Sequence, residues 1–588
     1  MQLKQLLLSL CVLLCSGFYS NAQNYDDLRK VTDTYAFTGA TVEVSPGNVL
    51  QNATIVVEDG LIKSVGTSGN IPATAKVIQL DSLYVYPGFI SGATHAGIPK
   101  KSAEEGQSNR GNRNGRIVGN PPKERAGITP HIKAATQFSP SEKAVENLRT
   151  QGFTIAHVLP EGRMLPGKGA LVALGEGAAN EMLIKDETAL FSQFKNASGV
   201  APGTIIGVMA KWRDLYKTAQ SQQSYNSTFK TSSRGKERPD FDAETEAFFP
   251  VIDKQQPVFF AADKVLTIQR AMTLQKELGF NMVLFETKQA DKLASSISSN
   301  NIPLFISMDL PKAEEKKQDK KEDEAEDKEG EAEEAMSALE KSLQAEKEAL
   351  EARKSKILAE YEAQAASLAA KGIRFGFSTL EAKPKDFNAT IGRMIEAGLT
   401  PDQALKALTT DAAQLLGISN IAGTIEQGKL AHFAAFTKPF HEEKAQAKYV
   451  FIEDQLYEFE VKEKKKKKKK DTAEGEEGAA SEGADIVGEW DFTIDTPGEQ
   501  NIGVMTITKD GDDYSGELYT EDDPSDVEEF DITLDGDEIS FSFDIDNDGM
   551  ELNLDFNLTV DGDDMEGAVS VGEFGSFDME ATRTSKPE

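Results

Sequence analysis

The sequence predicts a multidomain α/β chain, and three observations carry that prediction. Apolar strand-like runs alternate with helical segments from residue 87 onward, a short β-rich stretch precedes them, and strict period-two alternation fills residues 486–583. At 588 residues the chain has length for two or three domains, with a barrel counting as one large unit.

Residues 1–22 carry Lys4, an apolar run from Leu6 to Leu14, and then Ser20, Asn21 and Ala22. This is the layout of a cleaved secretory signal. A periplasmic or secreted protein is therefore expected. Both cysteines, Cys11 and Cys15, fall inside that segment, so the exported chain has no thiol for a disulfide, a metal or a nucleophile. No later stretch offers the roughly 18 uninterrupted apolar residues of a membrane span. The net charge of −33 argues against nucleic acid as a partner, because phosphates would repel it.

Residues 35–80 read as short strands broken by Gly, Asn and Asp. Beyond them, residues 153–159, 257–261, 282–285 and 303–307 are strand-like, with a helix at 271–278 between two of them, as parallel βα units require. Residues 312–371 are first rich in Lys, Glu and Asp. They then place Met336, Leu343, Leu350 and Ile357 at seven-residue spacing, with Glu346, Arg353 and Glu360 in the second heptad position. A solvated helical insertion in the barrel is expected. Residues 463–484, a lysine run followed by a Glu, Gly and Ala tract, cannot bury a core and read as a linker.

The C-terminal segment, 485–588, alternates at Trp490, Phe492 and Ile494, at Ile539, Phe541, Phe543 and Ile545, and from Leu552 to Val560. Asp-Gly pairs at 510–511, 535–536 and 561–562 break the runs. An acidic antiparallel meander, closed into a barrel or folded as a sandwich, is expected. Its opening Gly488-Glu489-Trp490 resembles the first strand of lipocalin-like barrels. A carbohydrate- or lipid-binding role for this segment rests on that pattern alone. Residues 544–549, DIDNDG, match the first half of a calcium loop, but a hairpin turn explains them without interrupting the strand alternation and is the preferred reading.

Residues 86–95, YPGFISGATH, resemble the P-G-F-I-D-x-H-x-H segment where amidohydrolases pass from an N-terminal β module into their barrel. GFTIAHVLP at 152–160 with GKGA at 167–170 resembles imidazolonepropionase-like members. EAGLTPDQAL at 396–405 and GTIEQGKLA at 423–431 continue the likeness in order. The chain is thus similar to the amidohydrolase superfamily over roughly residues 35–460. The resemblance implies a TIM-like (β/α)8 barrel at 88–415 and a composite β-sandwich built from both flanks, residues 23–87 and 416–462.

It also implies one or two divalent metals at the barrel mouth, held by imidazoles and carboxylates, that activate a water. The expected donor positions are mostly replaced. Ser91, Ala93 and His95 stand where Asp, His and His are wanted, so only the last survives. PVFFAAD at 257–263 puts Ala261 and Asp263 at two histidine positions, and the Glu-His-Gly strand end appears as Phe285-Glu286-Thr287. The catalytic aspartate aligns with Leu380, so no catalytic residue is assigned.

His95, Asp263 and Glu286 are the candidate donors for one divalent ion, zinc, manganese or iron. As polar residues of a decayed pocket they need no ion. His157, His131, His432 and His441 read as structural or exposed. The expectation is a catalytically impaired binding or assembly subunit, partnered by an active amidohydrolase paralogue or by itself. The alternative is an active hydrolase of cyclic amide or imide C–N bonds with an atypical metal site, recruiting Glu381.

Overall fold

The computed structural model describes residues 34–585 apart from 68–69, 100–122, 197–199, 312–337, 443, 462–484, 497–498, 511–512, 521–522, 548–549 and 572–574. The expected signal segment, the linker and the acidic start of the insertion lie outside the described residues. The chain divides into two units at residue 464.

In the first unit, β1 (Tyr35–Ser45), β2 (Asn48–Glu58), β3 (Leu61–Gly66), β4 (Lys76–Gln79) and β5 (Tyr84–Pro87) precede the barrel. Asp59 and Gly60 both take positive φ, 53° and 72°, which is the turn that matches strand twist in a two-residue hairpin. After the barrel come β16 (His432–Phe436), β17 (Ala447–Ile452) and β18 (Gln455–Glu458). Both flanks join one sheet in the order β18-β17-β16-β5-β1-β2-β3, with β4 beside β1. Phe37 of β1 meets Phe433 at 4.9 Å and Phe451 of β17 at 5.0 Å. Flat strands three places apart could not do this at about 4.8 Å per strand, so the sheet curls over a shared core. The composite module is one rolled sheet.

The barrel strands are β6 (Phe89–Thr94), β7 (Phe153–Val158), β11 (Leu190–Gln193), β12 (Val258–Ala261), β13 (Met282–Thr287), β14 (Leu304–Ser307) and β15 (Gly376–Ser378). β6 runs parallel to β7, and β11 to β15 are parallel in order. Thr379 N donates to Ala93 O at 3.0 Å and joins β15 to β6. On the opposite side the regular pattern gives way. β8 (Gly167–Lys168) pairs antiparallel with β11, and β9 (Ala170–Ala173) pairs antiparallel with β7 and with the short β10 (Leu183–Lys185). One reversed segment thus bridges β7 and β11 in the barrel wall.

The helices are α1 (Lys143–Thr150), α2 (Ile205–Thr231), α3 (Val265–Leu278), α4 (Ala294–Ser299), α5 (Ala338–Glu362), α6 (Gln364–Ala370), α7 (Phe387–Glu396), α8 (Pro401–Leu408) and α9 (Thr410–Leu415), with single turns between some of them. The TPDQ stretch starts α8 as a capping box: Gln403 N donates to Thr400 Oγ1 at 3.2 Å, and Thr400 N to Gln403 Oε1 at 3.0 Å. The expected insertion is helical where described, and Leu350 and Ile357 stand 53% and 41% exposed on α5. Trp212 of α2 is fully buried against Phe280, and its Nε1 donates to Ser192 Oγ at 2.8 Å.

The second unit is a closed antiparallel barrel, β19 (Gly488–Thr496), β20 (Glu499–Asp510), β21 (Asp513–Thr520), β22 (Asp523–Asp535), β23 (Glu538–Asn547), β24 (Met550–Asp561), β25 (Asp564–Val571) and β26 (Gly575–Ser585). Of the two forms expected for this segment, the barrel is the one adopted. Asp544–Asn547, the first four residues of the DIDNDG stretch, continue β23 in register with β24 as far as Asn547 opposite Met550, and the last two residues of the stretch lie outside the described residues. Phe530, Phe541 and Phe556 stack in the interior at 4.1 and 4.5 Å, as expected of an eight-stranded barrel just wide enough to be filled by side chains.

Candidate functional site

The barrel interior is packed with aromatic rings. Phe191, Phe259, Phe285 and Phe305 are all buried, and Phe259 lies 5.9 Å from Phe285 and 6.0 Å from Phe305. Phe305 leans over Gly92 so closely that a Cβ there would sit 2.0 Å from its Cδ1. Above this plug a cavity of about 390 Å³ opens at the C-terminal ends of the strands, which is where such barrels place their sites.

Glu286 forms part of its floor. It is the penultimate residue of β13, with φ at 53°, a conformation unusual for a non-glycine residue, where the register to β14 shifts between Leu284 and Thr287. Ser378 Oγ donates to its Oε1, the Ser307 hydroxyl also hydrogen-bonds the carboxyl, and Oε2 is fully buried. Burial pushes the carboxyl up to about 7 against the hydrogen bonds from Ser307 and Ser378, and the nearby Glu381 adds a smaller rise. Asp263 lines the same cavity, but its Oδ1 already accepts from Lys264 N at 2.8 Å and from Thr267 Oγ1 at 3.0 Å, at the start of α3.

His95 lies beside this cavity, near Glu381 and Lys195 of its wall, without lining it. Its Nδ1 bonds Leu159 O at 2.8 Å, its ring packs 6.2 Å from Phe191, and burial lowers its pKa. It is not among the residues lining the cavity. The expected donor trio is therefore split, with Asp263 and Glu286 on one cavity and His95 held by a carbonyl beside it. Among the described residues, no group of three or more His, Cys, Asp and Glu side chains is placed to hold a metal.

The family metal does not fit here. Ala93, Ala261 and Leu380 offer no donor atoms, and Lys288 adds a positive charge to the cavity wall, ion-paired with Asp309. Sequence reasoning missed Lys195, Lys288, Asp309 and Ser378. Lys288 was within reach of inspection, two residues past Glu286 at a strand end. Ser378 precedes the replaced aspartate position by two residues and carried no family signal.

His157 is locked inside the wall. Gly92 O lies 3.1 Å from Nδ1 and Thr188 Oγ1 lies 2.7 Å from Nε2. A carbonyl can only accept, so Nδ1 carries the proton and Nε2 accepts from the threonine hydroxyl. Burial pushes its pKa down to about 4. The ring is expected to stay neutral at pH 6, as its ¹⁵N chemical shifts would report; an imidazolium signal there would contradict this account.

Residues 237–458 match the model of the Amidohydrolase family. An amidohydrolase from Thermotoga maritima is 20% identical with a TM-score of 0.57, over 72% of this chain and 100% of that one. Phenylurea hydrolase B is 14% identical with a TM-score of 0.39, over 72% and 97%. No curated protein matches the chain. The family match over residues 237–458 and the fold shared with the Thermotoga protein bear out the resemblance to the amidohydrolase superfamily, and the barrel has the amidohydrolase fold. These matches bear on the superfamily and not on its imidazolonepropionase-like branch.

Proposed function

We propose that this is an exported amidohydrolase-fold protein that has lost metal-hydroxide hydrolysis and serves as a binding or assembly subunit, with an active paralogue or a second copy as partner. The observation that carries the reading is the donor set: alanines at 93 and 261, leucine at 380, and a lone buried Glu286 anchored by serine. A zinc or manganese hydroxide needs three or more well-placed ligands, and the loss of several removes charge and geometry together. Export rests on the layout of residues 1–22.

Glu286, with its elevated pKa, and Glu381 on the same cavity favour one alternative, an active C–N hydrolase that uses a carboxylate base at an atypical site. Elemental analysis of the purified mature protein separates the two readings, with His95→Ala as control. Metal-free, folded protein is the expected result. Near-stoichiometric zinc, manganese or iron that disappears in the variant would overturn the proposal and restore the hydrolase.

A further inference from the structure

The barrel mouth has a rim as well as a cavity, and part of that rim is apolar. Ile206, in the first turn of α2, is 76% exposed, and Leu266, in the first turn of α3, is 62% exposed. They are the two most exposed large aliphatic side chains among the described residues. Single apolar residues scattered over a surface are ordinary and need no cause. These two are not scattered. Their chain neighbours, Ile205 and Thr267, line one and the same cavity, together with Phe194 and Leu380. An apolar patch bordered by charged groups marks an interaction surface.

The charges around it select the partner. Lys195, Lys264 and Lys288 stand beside Asp263, Asp309 and Glu381, so both signs are present on one patch. A uniformly basic or acidic partner would meet repulsion as well as attraction there. A second copy turned about a twofold axis sets lysines of one mouth against carboxylates of the other, as a self-complementary contact requires. Net charge does not oppose this. Residues 1–484 hold 61 Lys and Arg against 65 Asp and Glu, whereas residues 485–588 hold 3 against 32. Most of the −33 is thus carried by the acidic barrel and not by the unit that would form the contact.

We propose that the first unit pairs mouth to mouth with a second copy of this chain, with Ile206 and Leu266 at the apolar centre and lysine–carboxylate pairs around them. The contact names the partner of the binding-subunit reading and rests on that reading, because a covered mouth leaves a substrate no path.

The test is sedimentation velocity on the full mature protein over a hundredfold range of concentration, with metal content measured on the same samples. A reversible monomer–dimer equilibrium is expected. Ile206→Glu and Leu266→Glu alter exposed side chains only, and each should weaken the dimer tenfold or more. Phe241→Glu, at a side chain 78% exposed and absent from the cavity lining, should leave it unchanged. A monomer at every concentration overturns the proposal, as does a dimer that both mouth variants leave intact or that Phe241→Glu weakens equally. Metal-free protein in any of those cases leaves the binding-subunit reading standing. A monomer carrying near-stoichiometric zinc, manganese or iron overturns both.

Discussion

Trp490→Ala is expected to unfold the C-terminal barrel. The indole is fully buried, its Nε1 donates to Ile486 O at 3.0 Å, and the Arg583 guanidinium lies 4.5 Å from the ring centre. Arg583 is held there by Val487 O at 3.1 Å and Gly562 O at 3.2 Å, and by ion pairs to Asp485 and Asp563. One end of the barrel is thus closed by a tryptophan from β19 and an arginine from β26. Truncating a buried aromatic of this size costs about 3–5 kcal/mol, and domains of this length hold only about 5–15 kcal/mol in total. Losing the ring also strips the arginine of its packing surface. Hydrogen–deuterium exchange should show protection across 488–585 collapsing while the strands between 258 and 378 keep theirs. Wild-type protection in the variant would refute the packing argument.

Glu286→Gln should make the first unit more stable at alkaline pH. The unfolded carboxyl titrates near 4.5, whereas in the fold burial moves it to about 7. Between those values the native state holds a proton that the unfolded state has released, so folding weakens as pH rises through the window. Below 4.5 both states are protonated and the penalty vanishes; above 7 it is fully present, about 3 kcal/mol. Glutamine is neutral throughout and keeps an acceptor for Ser378. Urea midpoints should therefore favour the variant clearly at pH 8 and hardly at all at pH 4.5. Equal midpoints at both pH values would mean that the carboxyl titrates normally.

The sequence displays what depends on local pattern. Buried strands such as Met282–Thr287, the capping box at Thr400 and the alternation from Ile539 to Ile545 are visible because period and turn chemistry are written within a few residues. Strand direction is not written that way. Ala170–Ala173 is as apolar and buried as the parallel strands around it, and only its partners reveal that it runs backward.

Barrel closure in the second unit likewise joins Trp490 to Arg583, residues far apart in the chain that no local signal connects. At the site, alignment located Glu286 and Asp263 but not their obligations. Whether Asp263 is free depends on Thr267, and whether Glu286 is anchored depends on Ser378, 92 residues away. His95 survives at its family position, yet a backbone carbonyl from a neighbouring loop has claimed its ring.

The chain has two tryptophans, and the fold puts one in each unit, both fully buried and both hydrogen-bonded through the indole nitrogen. The protein therefore carries its own pair of optical probes. With Trp212→Phe or Trp490→Phe, the intrinsic emission comes from a single known place, and its shift to longer wavelength in denaturant dates the opening of that unit alone. Recorded side by side, the two emission curves would reveal whether the amidohydrolase barrel and the acidic barrel melt together or in sequence, without any attached dye.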